Sequence, residues 1–113
     1  MKVILNIEEQ LPFVSLEGDL IGESNGLEVV DLITNLINKN LVYVVFDLEN
    51  LRYMNSSGIG VLITAHTKLK NNKGELILLK PNDQINKLLT ITKLNTIFKI
   101  FQDKKDTLDY LKK

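Results

Sequence analysis

Residues 47–62 read DLENLRYMNSSGIGVL, running from the end of a strand-like segment through a serine pair into an amphipathic helix. Upstream, residues 41–48 (LVYVVFDL) are almost uninterrupted apolar, with β-branched and aromatic residues prominent. That pattern predicts a central strand buried on both faces, which needs cover on each side. Downstream, Ile59, Leu62, Ala65 and Leu69 recur at three- and four-residue steps. They predict a helix of about three turns beginning near Ser57 and laid against the sheet. Ser56 and Ser57 fall where an N-cap is wanted, and Gly58 and Gly60 keep side chains off the first-turn N–H groups. A helix start of this kind suits an anion, including a phosphate attached to one of the serines. Spacing alone leaves two readings open, a serine that only caps and a serine that is modified.

The same stretch resembles the signature of the STAS domain, in the branch of bacterial anti-sigma factor antagonists. That pattern runs Asp-Leu, a few residues, then Tyr/Phe-Met-Asp-Ser-Ser/Thr-Gly-Leu-Gly. The resemblance implies that Ser56 is the serine phosphorylated by a partner kinase and that Ser57 fills the neighbouring Ser/Thr position. This chain departs from the pattern at Asn55, where the family carries an acid. It departs again at Gly18-Asp19-Leu20-Ile21, where the family often reads Gly-Glu-Leu-Asp, so that Ile21 stands at the aspartate position. Asp19 keeps an acid two residues earlier, on the same strand face but displaced by roughly 6 to 7 Å.

The resemblance further implies an unphosphorylated form that binds a kinase-type anti-sigma factor and frees the sigma factor. The anti-sigma factor serine kinase would use its own ATP and Mg²⁺, a PP2C-type phosphatase would restore the serine, and the chain itself would need no cofactor. It would be substrate and switch, not enzyme. The contact surface expected for the partner comprises Met54, Asn55, Ser56, Ser57, Gly58 and Ile59, with Ile21, Gly22, Glu23 and Ser24 beside them. A second arrangement compatible with the resemblance is a constitutive STAS accessory subunit of another complex, such as a lipid-transport ATPase.

Composition bounds the alternatives. With 113 residues and 44% hydrophobic content, residues 1–113 fit one domain with no room for a separate catalytic module. The absence of cysteine excludes disulfides, thiolate metal sites and cysteine catalysis. No apolar run approaches the ~20 residues of a membrane span. Met1-Lys2-Val3 leads straight into a strand-like stretch and not into a signal peptide, so the cytoplasm is the expected location. Net charge is zero, yet residues 1–50 hold two lysines against nine acids and the remainder twelve basic groups against five acids. Those lysines are dispersed and no aromatic platform accompanies them, which argues against direct nucleic-acid binding. The carboxylates show no metal-ligand spacing. The glycines at 58 and 60 lack the third glycine and following acid of a dinucleotide site. His66, the single histidine, lies roughly two turns beyond the serines on the same helix, too far for a Ser–His pair.

The remaining elements follow from periodicity and punctuation. Val3–Glu8 and Pro12–Asp19 read as an antiparallel hairpin joined around Glu9–Leu11. Residues 22–26 read as a loop, with Asn25 and Glu28 forming a capping box for a helix to about Lys39. Its buried side is expected at Val29, Val30, Ile33, Leu36 and Ile37. After the serine helix, Asn71–Gly74 is a turn and residues 75–80 (ELILLK) a buried strand stopped by Pro81. Asp83 is the expected cap of a helix to about Thr92, with Ile85, Leu88 and Leu89 inward. A short strand at 97–101 and a last helix from Asp103, anchored by Leu108 and Leu111, complete the order β-β-α-β-α-β-α-β-α. This is an α/β fold, a mixed sheet with helices packed mainly on one face, and it coincides with the STAS-like architecture that the resemblance implies.

Overall fold

The computed structural model describes residues 1–112, and of Glu23, Ser24 and Asn25 the backbone alone. Strands β1 (Lys2–Glu8) and β2 (Leu11–Leu20) form the expected hairpin, in register from Lys2 opposite Glu17 to Glu8 opposite Leu11. Glu9 and Gln10 both take positive φ, 52° and 67°. That primed geometry lets a two-residue turn follow the twist of the flanking strands. Strands β3 (Tyr43–Asp47), β4 (Leu51–Met54), β5 (Glu75–Leu79) and β6 (Lys99–Phe101) are all parallel to their neighbours, giving the order β1-β2-β3-β5-β6.

Helices α1 (Glu23–Asn38), α2 (Ser56–Asn71), α3 (Asp83–Ile91) and α4 (Lys104–Leu111) fill the connections, with one 3₁₀ turn at Leu94–Thr96. The expected order of strands and helices is therefore found, with one addition. Strand β4 resumes parallel pairing with β2, from Gly18 opposite Leu51 to Leu20 opposite Met54. Four residues, buried only at their two ends, give no periodic signal in the sequence.

Alternation in β3 and β5 divides the interior. Val44, Phe46, Leu76 and Leu78 point to one face, where they pack with Ile33 and Leu36 of α1, Leu62 and Leu69 of α2, and Ile85 and Leu89 of α3. Val45, Ile77 and Leu79 point to the other, where Phe13 joins them and α4 covers them with Leu108, Tyr110 and Leu111. Three helices on one face and a short one opposite explain why both central strands are apolar except at one end, Asp47 of β3 and Glu75 of β5. Each fully buried aliphatic side chain here contributes about 1.5–3 kcal/mol relative to exposure.

Helix boundaries differ from the sequence reading in instructive ways. Helix α1 begins at Glu23 with Gly22 as its N-cap, so there is no loop through 26 and no capping box at Asn25, whose side chain lies outside the described residues. The early start is coupled to a close helix crossing: a Cβ on Gly26 would come within 2.7 Å of Val61 Cγ2. The same crossing widens the buried arc of α2, which comprises Gly58, Val61, Leu62, Ala65 and Leu69 and leaves Ile59 half-buried. Helix α3 is capped by Asn82 and not Asp83, its Oδ1 accepting from the Ile85 N–H at 2.8 Å. Helices α1 and α2 end alike. Asn40 and Lys73 take positive φ, and the Leu41 and Gly74 amides reach back to the Leu36 and Leu69 carbonyls at 2.9 and 2.7 Å. These are Schellman ends, and they turn the chain directly into β3 and β5.

The second face is pinned by a polar contact at the start of β5. Tyr110 Oη donates to Glu75 Oε1 at 2.7 Å, and Glu75, the first residue of β5, is only 9% exposed. The hydrogen bond to that carboxylate, aided by burial, pushes the Tyr110 hydroxyl up to about 12 from its ordinary value of 10.0. Because the folded value is raised, the associated stability is fully present below pH 10 and is lost as pH rises through about 12. Tyr110→Phe should lower stability in urea denaturation by about 1–3 kcal/mol at neutral pH, since it strands a buried acceptor. The variant should also lose the part of the alkaline destabilisation that wild type shows across that pH window.

Candidate functional site

Asn55 joins the ends of two strands to the start of a helix. It is extended (φ −97°, ψ −174°) and stands as the N-cap of α2, its Oδ1 accepting from the Gly58 N–H at 2.8 Å. Its backbone N–H donates to the Leu20 carbonyl at 3.3 Å, and its Nδ2 donates to the Ile21 carbonyl at 3.4 Å. The cap expected from the serines is therefore Asn55, and α2 begins at Ser56. An asparagine one residue before the helix reaches the third amide of the first turn, as a capping side chain does. The amides of Ser56 and Ser57 are left outside the helix's own ladder.

Two glycines make this junction possible. Gly58 is buried, and a Cβ there would overlap the Leu20 carbonyl oxygen. Gly22, at φ 105°, lies where a Cβ would stand 2.5 Å from Ser57 Cβ. The loop at 21–22 and the helix start at 55–58, distant in sequence, thus meet. Ile21 is 51% exposed, Ser56 and Ser57 are exposed, and Asn55 and Ile59 are half-buried. Met54, 3% exposed, belongs to the main core. Met54 and Gly58, expected in a contact surface, instead form its floor. The side chains of Glu23 and Ser24 lie outside the described residues.

The serines diverge. Ser56 lines a groove of about 610 Å³ whose opposite wall is α3, through Ile85, Leu88 and Ile91. Ser57 borders a separate depression between α1 and α2, with Gly22, Leu27 and Thr64. Among the described residues no hydrogen bond holds the Ser56 hydroxyl. Among the described residues, Arg52 and Lys87 are the cations lining the groove, and no carboxylate lines it. Arg52 makes a two-pronged pair with Asp19, Nε to Oδ1 at 2.9 Å and Nη2 to Oδ2 at 2.7 Å. That hydrogen-bonded guanidinium holds the Asp19 carboxyl below the usual carboxylate range. The acid that the sequence places two residues before Ile21 is thus engaged across the β2–β4 pairing.

The α3 wall was not visible in the sequence as part of the site. Ile91 is its most telling member, an apolar side chain 71% exposed at the end of a helix. His66 stands apart, about 15 Å along α2 from Ser56 at the helical rise per residue. It packs edge-on against Phe98 with ring centroids 5.1 Å apart, and its Nδ1 is buried without a hydrogen-bond partner. Burial, then Lys70, draws its pKa below the ordinary 6.5, against the pull of Glu75. Among the described residues no three histidine or carboxylate side chains converge to hold a metal ion, and no helix is long and apolar enough to cross a membrane.

A family model described as STAS domain matches residues 2–107. The chain belongs to the STAS domain family. The anti-sigma F factor antagonist of Paenibacillus polymyxa is 24% identical over 98 residues, covering 87% of this chain and 84% of that protein. Among solved structures, a putative anti-sigma factor antagonist from Thermotoga maritima superposes with a TM-score of 0.89 at 17% identity, covering 98% of this chain and 95% of that one. The Bacillus cell fate determinant SpoIIAA in its phosphorylated form superposes with a TM-score of 0.75 at 20% identity, covering 97% and 99%. At these identities the structures establish that the STAS fold is shared.

Within this STAS domain, the cap makes a direct prediction. Asn55→Ala should cost about 1 kcal/mol in urea denaturation, whereas Asn55→Asp, which keeps the acceptor for the Gly58 N–H and adds charge at the helix N-terminus but loses the Nδ2 donor to the Ile21 carbonyl, should fall between Asn55→Ala and wild type.

Proposed function

We propose that this STAS domain is an anti-sigma factor antagonist, a regulatory binding protein and not an enzyme, switched by phosphorylation of Ser56. The observation that carries the reading is the position of Ser56. It is exposed at the first turn of α2, its capping duty has been taken by Asn55, and it lines a groove with apolar walls and, among the described residues, two cations but no carboxylate. The relationship to the anti-sigma F factor antagonist of Paenibacillus polymyxa supports the same assignment.

In the unphosphorylated state, the partner, a kinase-type anti-sigma factor, covers Asn55, Ser56, Ser57, Ile59 and Ile21. The kinase brings its own ATP and Mg²⁺, and a PP2C-type phosphatase reverses the modification. Phosphorylation adds about −1.5 to −2 charge, which the α2 N-terminus tolerates and a closely fitted partner surface does not. Asn55 and Ile21, in place of two acids, remove repulsion that a phosphate would otherwise meet. The exchange takes place in the cytoplasm, where kinase and sigma factor are found.

A pull-down with the tagged chain from the native cytoplasm tests this. Wild type and Ser56→Ala should retain an ATP-binding anti-sigma kinase. Ser56→Asp should lose it by more than about tenfold, equivalent to about 1.4 kcal/mol. Added ATP should release wild type but not Ser56→Ala. Equal retention of one partner by wild type and Ser56→Asp, a transport ATPase included, would overturn the switch.

A further inference from the structure

Strand β1 carries a feature that neither the core nor the Ser56 site uses. Sheet edges present unpaired backbone groups, and proteins ordinarily blunt them with short strands, proline, lysine or a bulge. The β6 edge is blunted, being only three residues long. The β1 edge is seven residues long, has no proline and pairs with β2 without a break in register. Ile4, Leu5 and Ile7 remain 39%, 38% and 44% exposed.

The hairpin turn fixes which backbone groups face outward. Glu8 and Leu11 flank the two-residue turn and form a hydrogen-bonded pair, so the antiparallel alternation also commits Asn6, Ile4 and Lys2 to β2. The N–H and C=O groups of Val3, Leu5 and Ile7 therefore point away from the sheet.

We propose that β1 is a self-pairing edge, through which two copies of this chain join antiparallel about a two-fold axis at Leu5. Leu5 then lies opposite Leu5 of the second copy, Val3 opposite Ile7, Ile4 opposite Asn6 and Lys2 opposite Glu8. The pairs formed at Val3, Leu5 and Ile7 are those with outward backbone groups, so every one of those groups finds a partner. The ends match in charge, and symmetry repeats the Lys2–Glu8 contact. Glu8 already accepts from Lys104 Nζ at 2.8 Å within its own chain, and the second copy's Lys2 would approach it on that same sheet face. Sliding by two residues in either direction leaves one outward residue unpaired and separates the charges. The dimer does not depend on the Ser56 reading. Its two-fold axis sends the two Ser56 sites to opposite ends of one continuous sheet, where each remains open.

Sedimentation velocity and amide exchange by NMR, on the full chain from micromolar to millimolar concentration, test the proposal. The expected result is a concentration-dependent dimer in which the amides of Val3, Leu5 and Ile7 gain more than about tenfold protection, those of Ile4 and Asn6 being protected throughout. Leu5→Lys sets like charges face to face at the axis and should weaken the dimer by more than about tenfold. Should that variant fail to fold, the surface exchange keeps the test: Lys2→Glu should weaken association and Lys2→Glu with Glu8→Lys should restore it. A chain that stays monomeric at millimolar concentration, a dimer indifferent to Leu5→Lys, or a double exchange that restores nothing would overturn the proposal.

Discussion

Asn55 makes three hydrogen bonds at one point, to the Gly58 amide and to the Leu20 and Ile21 carbonyls, and the geometry of the site depends on them. They tie the last residues of β2 to the end of β4 and fix where α2 begins. Once the cap is an asparagine, both serines move inside the helix, and the first-turn amides not used by the cap face outward. Gly58 and Gly22 then admit the backbone of β2 and the side of Ser57 at distances that any Cβ would forbid. A substitution at this junction would therefore disturb several elements together.

The floor beneath the serines is as constrained as the junction itself. Leu20, Met54, Val61 and Leu62 are buried in the main core directly under the helix start. Close-packed interiors do not yield gradually, so charge added at Ser56 has little structural freedom to dissipate into. In the switch we propose, its consequence falls on whatever covers the exposed rim of Ser56, Ile59 and Ile21. The apolar wall of α3 adds a recognition surface, since Leu88 and Ile91 lie across the groove from the serine and away from the backbone that positions it.

The parts of this architecture legible in the sequence are those with long apolar patterns. β3 and β5, continuous runs of buried residues, and the stripes of α1 and α2 could be placed because burial on both faces, or on one stripe, leaves a repeated signature. β4 could not, since Leu51 and Met54 bracket two exposed residues in a segment too short for alternation. Caps were misplaced for a physical reason. Serine, asparagine and aspartate all cap, so the sequences Asn55-Ser56-Ser57 and Asn82-Asp83 contain several candidates, and only the reach to Gly58 and Ile85 selects the asparagines. The early start of α1 was hidden because a close approach between Gly26 and Val61 belongs to two helices and to neither sequence alone. That Ser56 stands at a helix start was readable in the sequence, whereas its separation from Ser57 into a different groove required the placement of α3 and α1.

The uneven charge of the two halves of the chain acquires a meaning in the fold. Asp19 pairs with Arg52, Glu49 with Lys80 and Glu8 with Lys104, each an acid of the first half with a base of the second. Such pairs are exposed and screened by solvent, and contribute too little to hold the fold together. Among the apolar side chains left at the surface are Ile91 beside Ser56, and Ile4, Leu5 and Ile7 along β1. Lys104 lies over the Phe13 ring at 4.8 Å while reaching Glu8, which fixes that carboxylate at the tip of β1. A fixed acid at one end of an edge strand and a lysine at the other are the ends that an antiparallel copy would match.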